Sequence, residues 1–262
     1  MALTFQTLIS SSKGNCLVLS SRTTRLVIDC GFRSQKAVRA AFDQQFGLDG
    51  GPDAVLVTHL HGDHINYSAL KVLQQRMVPL YIHEESVDLL PGKHFRGYRF
   101  AELDVNSYAA RSFVIGDLTV RPIEVPHAPG HLTHAFEIAH DGRRIVVAAD
   151  FFDAAAIRDV MIDADFVYIE SNHDLQLLRE NWNPNSRWHM PNPITAELIC
   201  EVADISEKPP TAVMLGHLSE QRNRPEIVLD EMHTAFKRKR LNMSFDLTVA
   251  PLYEASHVIQ ID

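Results

Sequence analysis

Ala54-Val55-Leu56-Val57-Thr58-His59-Leu60-His61-Gly62-Asp63-His64 is the stretch on which the reading of this chain turns. Its first four residues are apolar and follow Gly51-Pro52-Asp53, a turn signal. A short apolar run bounded in this way is a buried strand. The strand delivers three histidines and a carboxylate within the six positions from His59 to His64. Neutral imidazoles and carboxylates are the donor set of Zn²⁺ and similar divalent ions. Core packing does not call for four such groups together, and a merely solvated loop does not predict a strand aimed at them.

Working outward, the same arrangement recurs. Arg25-Leu26-Val27-Ile28 reads as a strand and runs into Asp29-Cys30-Gly31. Residues 118–125 alternate as a strand and end in Pro126-His127. Residues 145–149 end in Asp150, 166–169 in Glu170, and 211–215 in Gly216-His217. One such ending is chance, whereas six place a single site where the strand ends converge. His59 and His61, two apart in an extended segment, point to the same side. With His127 they supply one ion. Asp63, His64 and His217 supply a second, and Asp150 sits between the two. Each ion then has three or four nitrogen or oxygen ligands and keeps an open position, as catalytic sites do. A two-metal centre makes a nucleophile at neutral pH and clamps a displaced oxygen.

The chain has 262 residues, 45 % hydrophobic and 22 % charged, ordinary for one large globular domain. Strands and helices interleave, helices being expected at 34–46, 68–76, 194–202 and 225–239. The class is therefore α/β (α+β) with stacked layers. Residues 91–112 are polar and irregular, a long loop. No apolar run approaches the roughly 18 residues of a membrane span, and the first residues lack the basic start of a signal peptide. A cytoplasmic location is expected, with no membrane partner. Net charge is −8, which excludes a protein that coats nucleic acid. Cys16, Cys30 and Cys200 are too few, and odd in number, for a disulfide framework. They are expected to be buried packing residues. His83, His94, His131, His134, His140, His233 and His257 are assigned to the surface or to local hydrogen bonds, His131 being the one rival to His127.

The His59-Leu60-His61-Gly62-Asp63-His64 run, with Asp29 before it and His127, Asp150 and His217 after it, resembles the metallo-β-lactamase-fold hydrolases. The resemblance implies a four-layer αβ/βα sandwich over residues 1–262, with two metals at one edge. It places His59, His61, Asp63, His64, His127, Asp150 and His217 at ligand positions, and Asp29 as a support of the site through hydrogen bonds. Zn²⁺ is the default ion, and Mn²⁺ and Fe²⁺ share the donor preference. The interval from Asp150 to His217 is too short for the large inserted cap domain of some ribonuclease branches. A narrower resemblance, carried by residues 10–16, 170–174 and 216–220, is to single-domain bacterial 5′→3′ exonucleases and to tRNA 3′-end-processing endoribonucleases. It implies that Glu170 orients His189 as the acid that protonates the leaving group. His173 is the other candidate, and Asp63 counts as catalytic as well as a ligand.

The expected function is therefore a dinuclear-metal hydrolase, a phosphodiesterase or nuclease acting on DNA or RNA through a metal-activated water. The alternative is a small-molecule hydrolase of a cyclic nucleotide, lactone, thioester or β-lactam. Candidate substrate contacts are Asn15, Arg96, Arg99, Trp182, Arg187 and Trp188, since basic groups position phosphates and tryptophans stack on bases. The basic run 237–240 suits a helix C-terminus equally well. The sequence is compatible with an oligomer and does not determine one.

Overall fold

The computed structural model describes residues 3–90 and 102–261. Lys93, His94, Arg96, Tyr98 and Arg99 lie outside the described residues.

Two sheets face each other, each of seven strands among the described residues. The first contains β1 (Leu3–Ser11), β2 (Gly14–Ser20), β3 (Arg25–Ile28), β4 (Ala54–Leu56), β5 (Leu80–His83) and β6 (Val105–Tyr108), with β14 (Ile259–Ile261) on the outer edge of β1. The second runs from β7 (Phe113–Ile115) through β8 (Leu118–Val125), β9 (Thr133–His140), β10 (Arg143–Ala148), β11 (Phe166–Glu170) and β12 (Ala212–Gly216) to β13 (Asp246–Val249). The helices are α1 (Gln35–Phe46), α2 (Tyr67–Gln75), α3 (Glu84–Val87), α4 (Ala155–Met161), α5 (Leu175–Glu180), α6 (Asn192–Ile205) and α7 (Pro225–Lys239). The short strand β6 falls inside the stretch 91–112 that the sequence suggested as loop, and β7 follows it in residues that carried no assignment. The expected helices are present within a few residues; Ser34 caps α1 and Asn66 caps α2 with side-chain hydrogen bonds to backbone N–H groups.

Why the strands read as continuous apolar runs is visible in which cluster each residue joins. Phe166 and Tyr168 of β11 point into the core between the sheets, while Val167 and Ile169 point to the helices behind. Leu26 and Ile28 of β3 likewise face the opposite sheet, and Val27 faces α1 and α2. Strands buried on both faces carry no polar alternation. Three apolar cores result: one between the sheets, one under α4, α6 and α7, and one under α1 and α2. Three cores separate four layers, helix–sheet–sheet–helix, so the expected sandwich is what the sequence builds. Phe5 packs on Phe166 with ring centroids 4.7 Å apart at the centre of the middle core. Burial of each such ring contributes about 1.5–3 kcal/mol.

The topology also gathers the strand ends. β3 and β4 are parallel, as are β10, β11 and β12. β8 and β10 both run antiparallel to β9 and so share a direction. Their carboxyl ends open on one edge, where ligands of α/β sheets bind. There the two sheets are stitched together. His134 N–H bonds Thr58 O at 3.1 Å, His217 N–H bonds Ser10 Oγ at 2.9 Å, and Ser10 Oγ meets Tyr168 OH at 2.8 Å. Cys16, Cys30 and Cys200 are free and buried, as expected of packing residues.

Candidate metal centre

The loop between β4 and α2 carries His59, His61, Asp63 and His64, and β3 supplies its anchor. Asp29 Oδ1 accepts the Thr58 backbone N–H at 2.9 Å; Oδ2 accepts the Thr58 hydroxyl at 2.8 Å and the His64 Nδ1–H at 2.6 Å. Asp29 therefore supports the site and does not cap α1. The loop folds tightly against the β1–β2 hairpin. Asn15 N–H bonds Asp63 O at 2.8 Å, and a Cβ on Gly31 would overlap that same carbonyl. Asp29, Asp150 and His217, each just beyond a strand, all hold the left-handed backbone conformation, with φ of 61°, 56° and 54°. That region costs a non-glycine residue about 1–2 kcal/mol. It turns the three side chains off the line of their strands toward a shared point, a pattern typical of functional sites.

Four of the five histidines then have their tautomer set from outside. His59 Nδ1–H points at Thr58 Oγ1 at 3.0 Å, whose own proton is committed to Asp29. His64 Nδ1–H goes to Asp29, His127 Nδ1–H to Trp188 O at 3.0 Å, and His217 Nδ1–H to Glu170 Oε1 at 3.2 Å. Metal-ligating histidines are held in this way by an outer acceptor. The inner nitrogens converge. His59 Nε2 lies 2.8 Å from His61 Nδ1, which lies 3.3 Å from His127 Nε2. Asp150 spans the centre. Its Oδ2 is 3.1 Å from His59 Nε2 and 2.8 Å from His64 Nε2, and its Oδ1 is 3.2 Å from His217 Nε2.

His59, His61, His127 and Asp150 form one group of donor atoms within 4.8 Å of one another, Asp63, His64, Asp150 and His217 form a second, and Asp150, Glu170, His189 and His217 form a third. The first two are the groupings expected from the sequence. The fit to divalent ions rests on the donors themselves. His59 Nε2 and His127 Nε2, their Nδ1 protons turned outward, both face His61 Nδ1 at 2.8 and 3.3 Å; a proton on that nitrogen serves one of them and leaves the other lone pair open to a cation. Asp150 Oδ1 and His217 Nε2 are buried without a hydrogen-bond partner among the described residues, a cost that a ligated ion removes. The donors are nitrogen and oxygen only, with no thiolate, and so suit an open Zn²⁺, Mn²⁺ or Fe²⁺ site.

Glu170 links the centre to a further histidine. Its buried Oε1 accepts the His189 Nδ1–H at 2.7 Å, and its Oε2 accepts the Phe151 N–H at 3.1 Å. His189 Nδ1 also lies 3.0 Å from Asp150 Oδ1. Burial works against charge on His189, but Glu170 and Asp150 outweigh it and hold the imidazolium well above its usual range. Burial likewise opposes charge on Glu170, but His189 and His217 draw its carboxyl down to about 2. Burial takes His61 down to about 3 and His127 to about 4, so both rings offer lone pairs.

Other sequence candidates separate from this centre. His173 hydrogen-bonds its neighbour Asn172 at 3.3 Å, and burial lowers its pKa to about 4. The His131 ring lies tilted against His61 with centroids 3.9 Å apart but joins none of the donor groups. Asn15 is buried and turned on the loop, its Nδ2 3.1 Å from His64 Nε2. Trp182 is 74 % exposed. The Arg187 guanidinium lies 4.5 Å from the centre of the Trp188 ring, and the Phe152 ring lies tilted against Trp188 with centroids 5.5 Å apart. Phe152 had no signal in the sequence beyond its place after Asp150. His83 and His134, assigned above to the surface or to local hydrogen bonds, are both buried and stack on each other at 4.6 Å with Tyr108 edge-on to them; His83 Nδ1 accepts the Glu85 N–H at 3.3 Å, a local hydrogen bond as expected. Sequence reasoning also missed a buried amide network. Asn223 donates to Ser171 O at 2.8 Å and exchanges hydrogen bonds with Asn192, locking the loops after β11 and β12 together. Two asparagines, Asn192 and Asn223, were its only trace in the sequence.

Residues 12–183 match the family model of the metallo-beta-lactamase superfamily, and the chain belongs to that superfamily. Among curated proteins it is 28 % identical to exodeoxyribonuclease YycJ of Bacillus anthracis over 245 residues, which cover 87 % of this chain and 86 % of that protein. It is 24 % identical to exodeoxyribonuclease WalJ of Streptococcus pneumoniae, covering 94 % of this chain and 92 % of the relative. Among solved structures, the metallo-beta-lactamase fold protein YhfI of Bacillus subtilis superposes with a TM-score of 0.75 at 17 % identity, over 99 % of this chain and all of that one.

Proposed function

We propose that the protein is a dinuclear-metal phosphodiesterase that cleaves nucleic-acid strands in the cytoplasm. The observation that carries this reading is the 2.7 Å Glu170–His189 hydrogen bond set directly beside the two donor groups. Phosphodiester cleavage expels a strongly basic alkoxide, which needs a proton; acyl hydrolysis of an activated ester or lactam leans on one less. The names of the YycJ and WalJ relatives support DNA as the strand.

The first group, His59, His61, His127 and Asp150, would hold one divalent ion, and Asp63, His64, Asp150 and His217 the second, with Zn²⁺ as the first choice. When bound, the ions supply Lewis acidity to a phosphoryl oxygen and lower the pKa of water. Glu170 fixes His189 with Nδ1 turned inward to the carboxylate, so that Nε2 is the nitrogen left to donate. The ring is 18 % exposed, within reach of substrate. Held charged by Glu170 and Asp150, His189 gives its proton to the departing oxygen and regains it from solvent. Asp29 and Thr58 keep the loop and its tautomers in place, and Arg187, Trp188 and Phe152 offer a cluster of cationic and aromatic groups to a base.

A substrate panel tests the reading: linear duplex and single-stranded DNA, RNA, bis-p-nitrophenyl phosphate, a thioester and a β-lactam, each with Zn²⁺ or Mn²⁺. Phosphodiester turnover on DNA or RNA is expected. Turnover of the thioester or lactam without any phosphodiester cleavage would replace it with the acyl-hydrolase reading.

A further inference from the structure

A polar cavity of about 280 Å³ opens beside His189, between the β1–β2 turn and the loops after β11 and β12. Ligand clefts begin at roughly 300 Å³, so the space suits a phosphate or a single nucleotide and not a duplex. Lys13, Asn172, Ser219, Glu220 and Arg222 share the wall with His189. The wall is tied by its backbone. Ser219 N–H bonds Asn172 O at 2.8 Å, Ser12 N–H bonds Leu218 O at 3.3 Å, and Asp174 N–H bonds Arg222 O at 2.8 Å.

Two groups in this wall lack a matching partner among the described residues. Ser219 is only 2 % exposed, and its Oγ has no hydrogen-bond partner among the described residues. Arg222 Nε is also buried without an acceptor, and its Nη1 makes only long contacts, 3.5 Å to Asn181 O and 3.3 Å to Gln221 Oε1. The one carboxylate on the wall, Glu220, is already taken by Lys13 and the Tyr253 hydroxyl. Arg222 is thus left with uncompensated charge. A guanidinium and a buried hydroxyl with too few acceptors are the complement of an acceptor-rich anion, and the guanidinium fork matches phosphate best.

We infer that this cavity is a second phosphate subsite, in which Arg222 and Ser219 hold a non-scissile phosphate of the strand on the leaving-group side of the cut. The side follows from His189, which borders both the cavity and the donor groups. The inference rests on the phosphodiesterase reading above. A phosphate held here fixes the strand so that the departing oxygen meets His189, an orienting role for groups remote from the bond that breaks. The phosphate could be an internal diester or the monoester of a strand end; the chemistry of recognition is shared.

The metal-loaded wild type and Arg222→Gln and Ser219→Ala variants test it in two measurements. The first compares kcat/KM on a 5′-phosphorylated oligonucleotide, its 5′-hydroxyl form and bis-p-nitrophenyl phosphate, which has a single phosphate. In Arg222→Gln the ratio of oligonucleotide to bis-p-nitrophenyl phosphate kcat/KM falls about tenfold or more, with Ser219→Ala in the same direction. A fall confined to the 5′-phosphorylated strand identifies a terminal monoester, and a fall on both identifies an internal phosphate. An unchanged ratio overturns the inference. The second compares inhibition of bis-p-nitrophenyl phosphate turnover by adenosine 3′,5′-bisphosphate and by AMP. The wild type favours the bisphosphate about tenfold and Arg222→Gln loses that preference. Equal inhibition in the wild type overturns the subsite, while a bisphosphate preference without oligonucleotide cleavage keeps it and removes the nuclease reading.

Discussion

Replacing His189 by alanine separates a proton donor from a metal ligand. The ring meets Glu170 Oε1 at 2.7 Å and Asp150 Oδ1 at 3.0 Å, and Asp150, Glu170, His189 and His217 are themselves close enough to hold an ion. If His189 donates the proton, its loss removes a general-acid contribution of about 10²–10⁴-fold. That loss falls on kcat for DNA, whose leaving alkoxide is strongly basic. It falls far less on bis-p-nitrophenyl phosphate, because p-nitrophenolate leaves unaided; a drop below about tenfold is expected there. Glu170→Gln keeps the shape and removes the charge. A hydrogen bond to a charged group contributes about 1.5–3 kcal/mol, which predicts a fall of roughly 10- to 150-fold on DNA. The assay is steady-state kcat on both substrates, with metal content measured on the same protein. Equal losses on the two substrates, accompanied by loss of metal from His189→Ala, would refute the proton-donor role and make His189 a ligand.

Asp29→Asn removes the acceptor of the His64 Nδ1–H and Thr58 hydrogen bonds; metal affinity, measured by competition with a chelating dye, drops about 10- to 100-fold while the fold persists. Gly31→Ala drives a methyl into the Asp63 carbonyl, at a cost of about 1–3 kcal/mol in thermal unfolding, with displacement of the Asp63 loop seen as weakened metal binding. His134, whose pKa burial and His83 lower to about 4, titrates near 6.5 when unfolded. The unfolded chain therefore takes up its proton first as pH falls. Stability from this group is complete above pH 6.5 and is lost between 6.5 and 4, by up to about 3 kcal/mol. Urea unfolding of wild type and His134→Phe across that window shows the wild type losing more; parallel losses would contradict this.

The histidines and aspartates at the strand ends were legible because two signals coincide there: an apolar run that must be buried and a polar residue it cannot bury alone. His127 and His217, far apart in the chain, could be assigned to different ions from that pattern. The partners that set their tautomers were less legible. Trp188 acts on His127 through its carbonyl, and a backbone group leaves no mark in sequence. Thr58 looked like the end of a strand, although its hydroxyl connects Asp29 with His59. The strand β6, Val105-Asn106-Ser107-Tyr108, carries too little apolar pattern to be seen without its neighbour β5. The buried pair His83 and His134 was hidden for a related reason. Each follows or opens a strand at the same edge as the metal ligands, but the sequence does not show that Tyr108 and the opposite sheet close over them.

The account stands on two ions sharing Asp150. Titrating the metal-stripped protein with Zn²⁺ or Mn²⁺, while following phosphodiester hydrolysis and bound metal together, tests this most directly. Two equivalents bound per chain, with full activity reached only at the second, is the predicted result. Full activity at one equivalent, or hydrolysis with no metal bound, would contradict it.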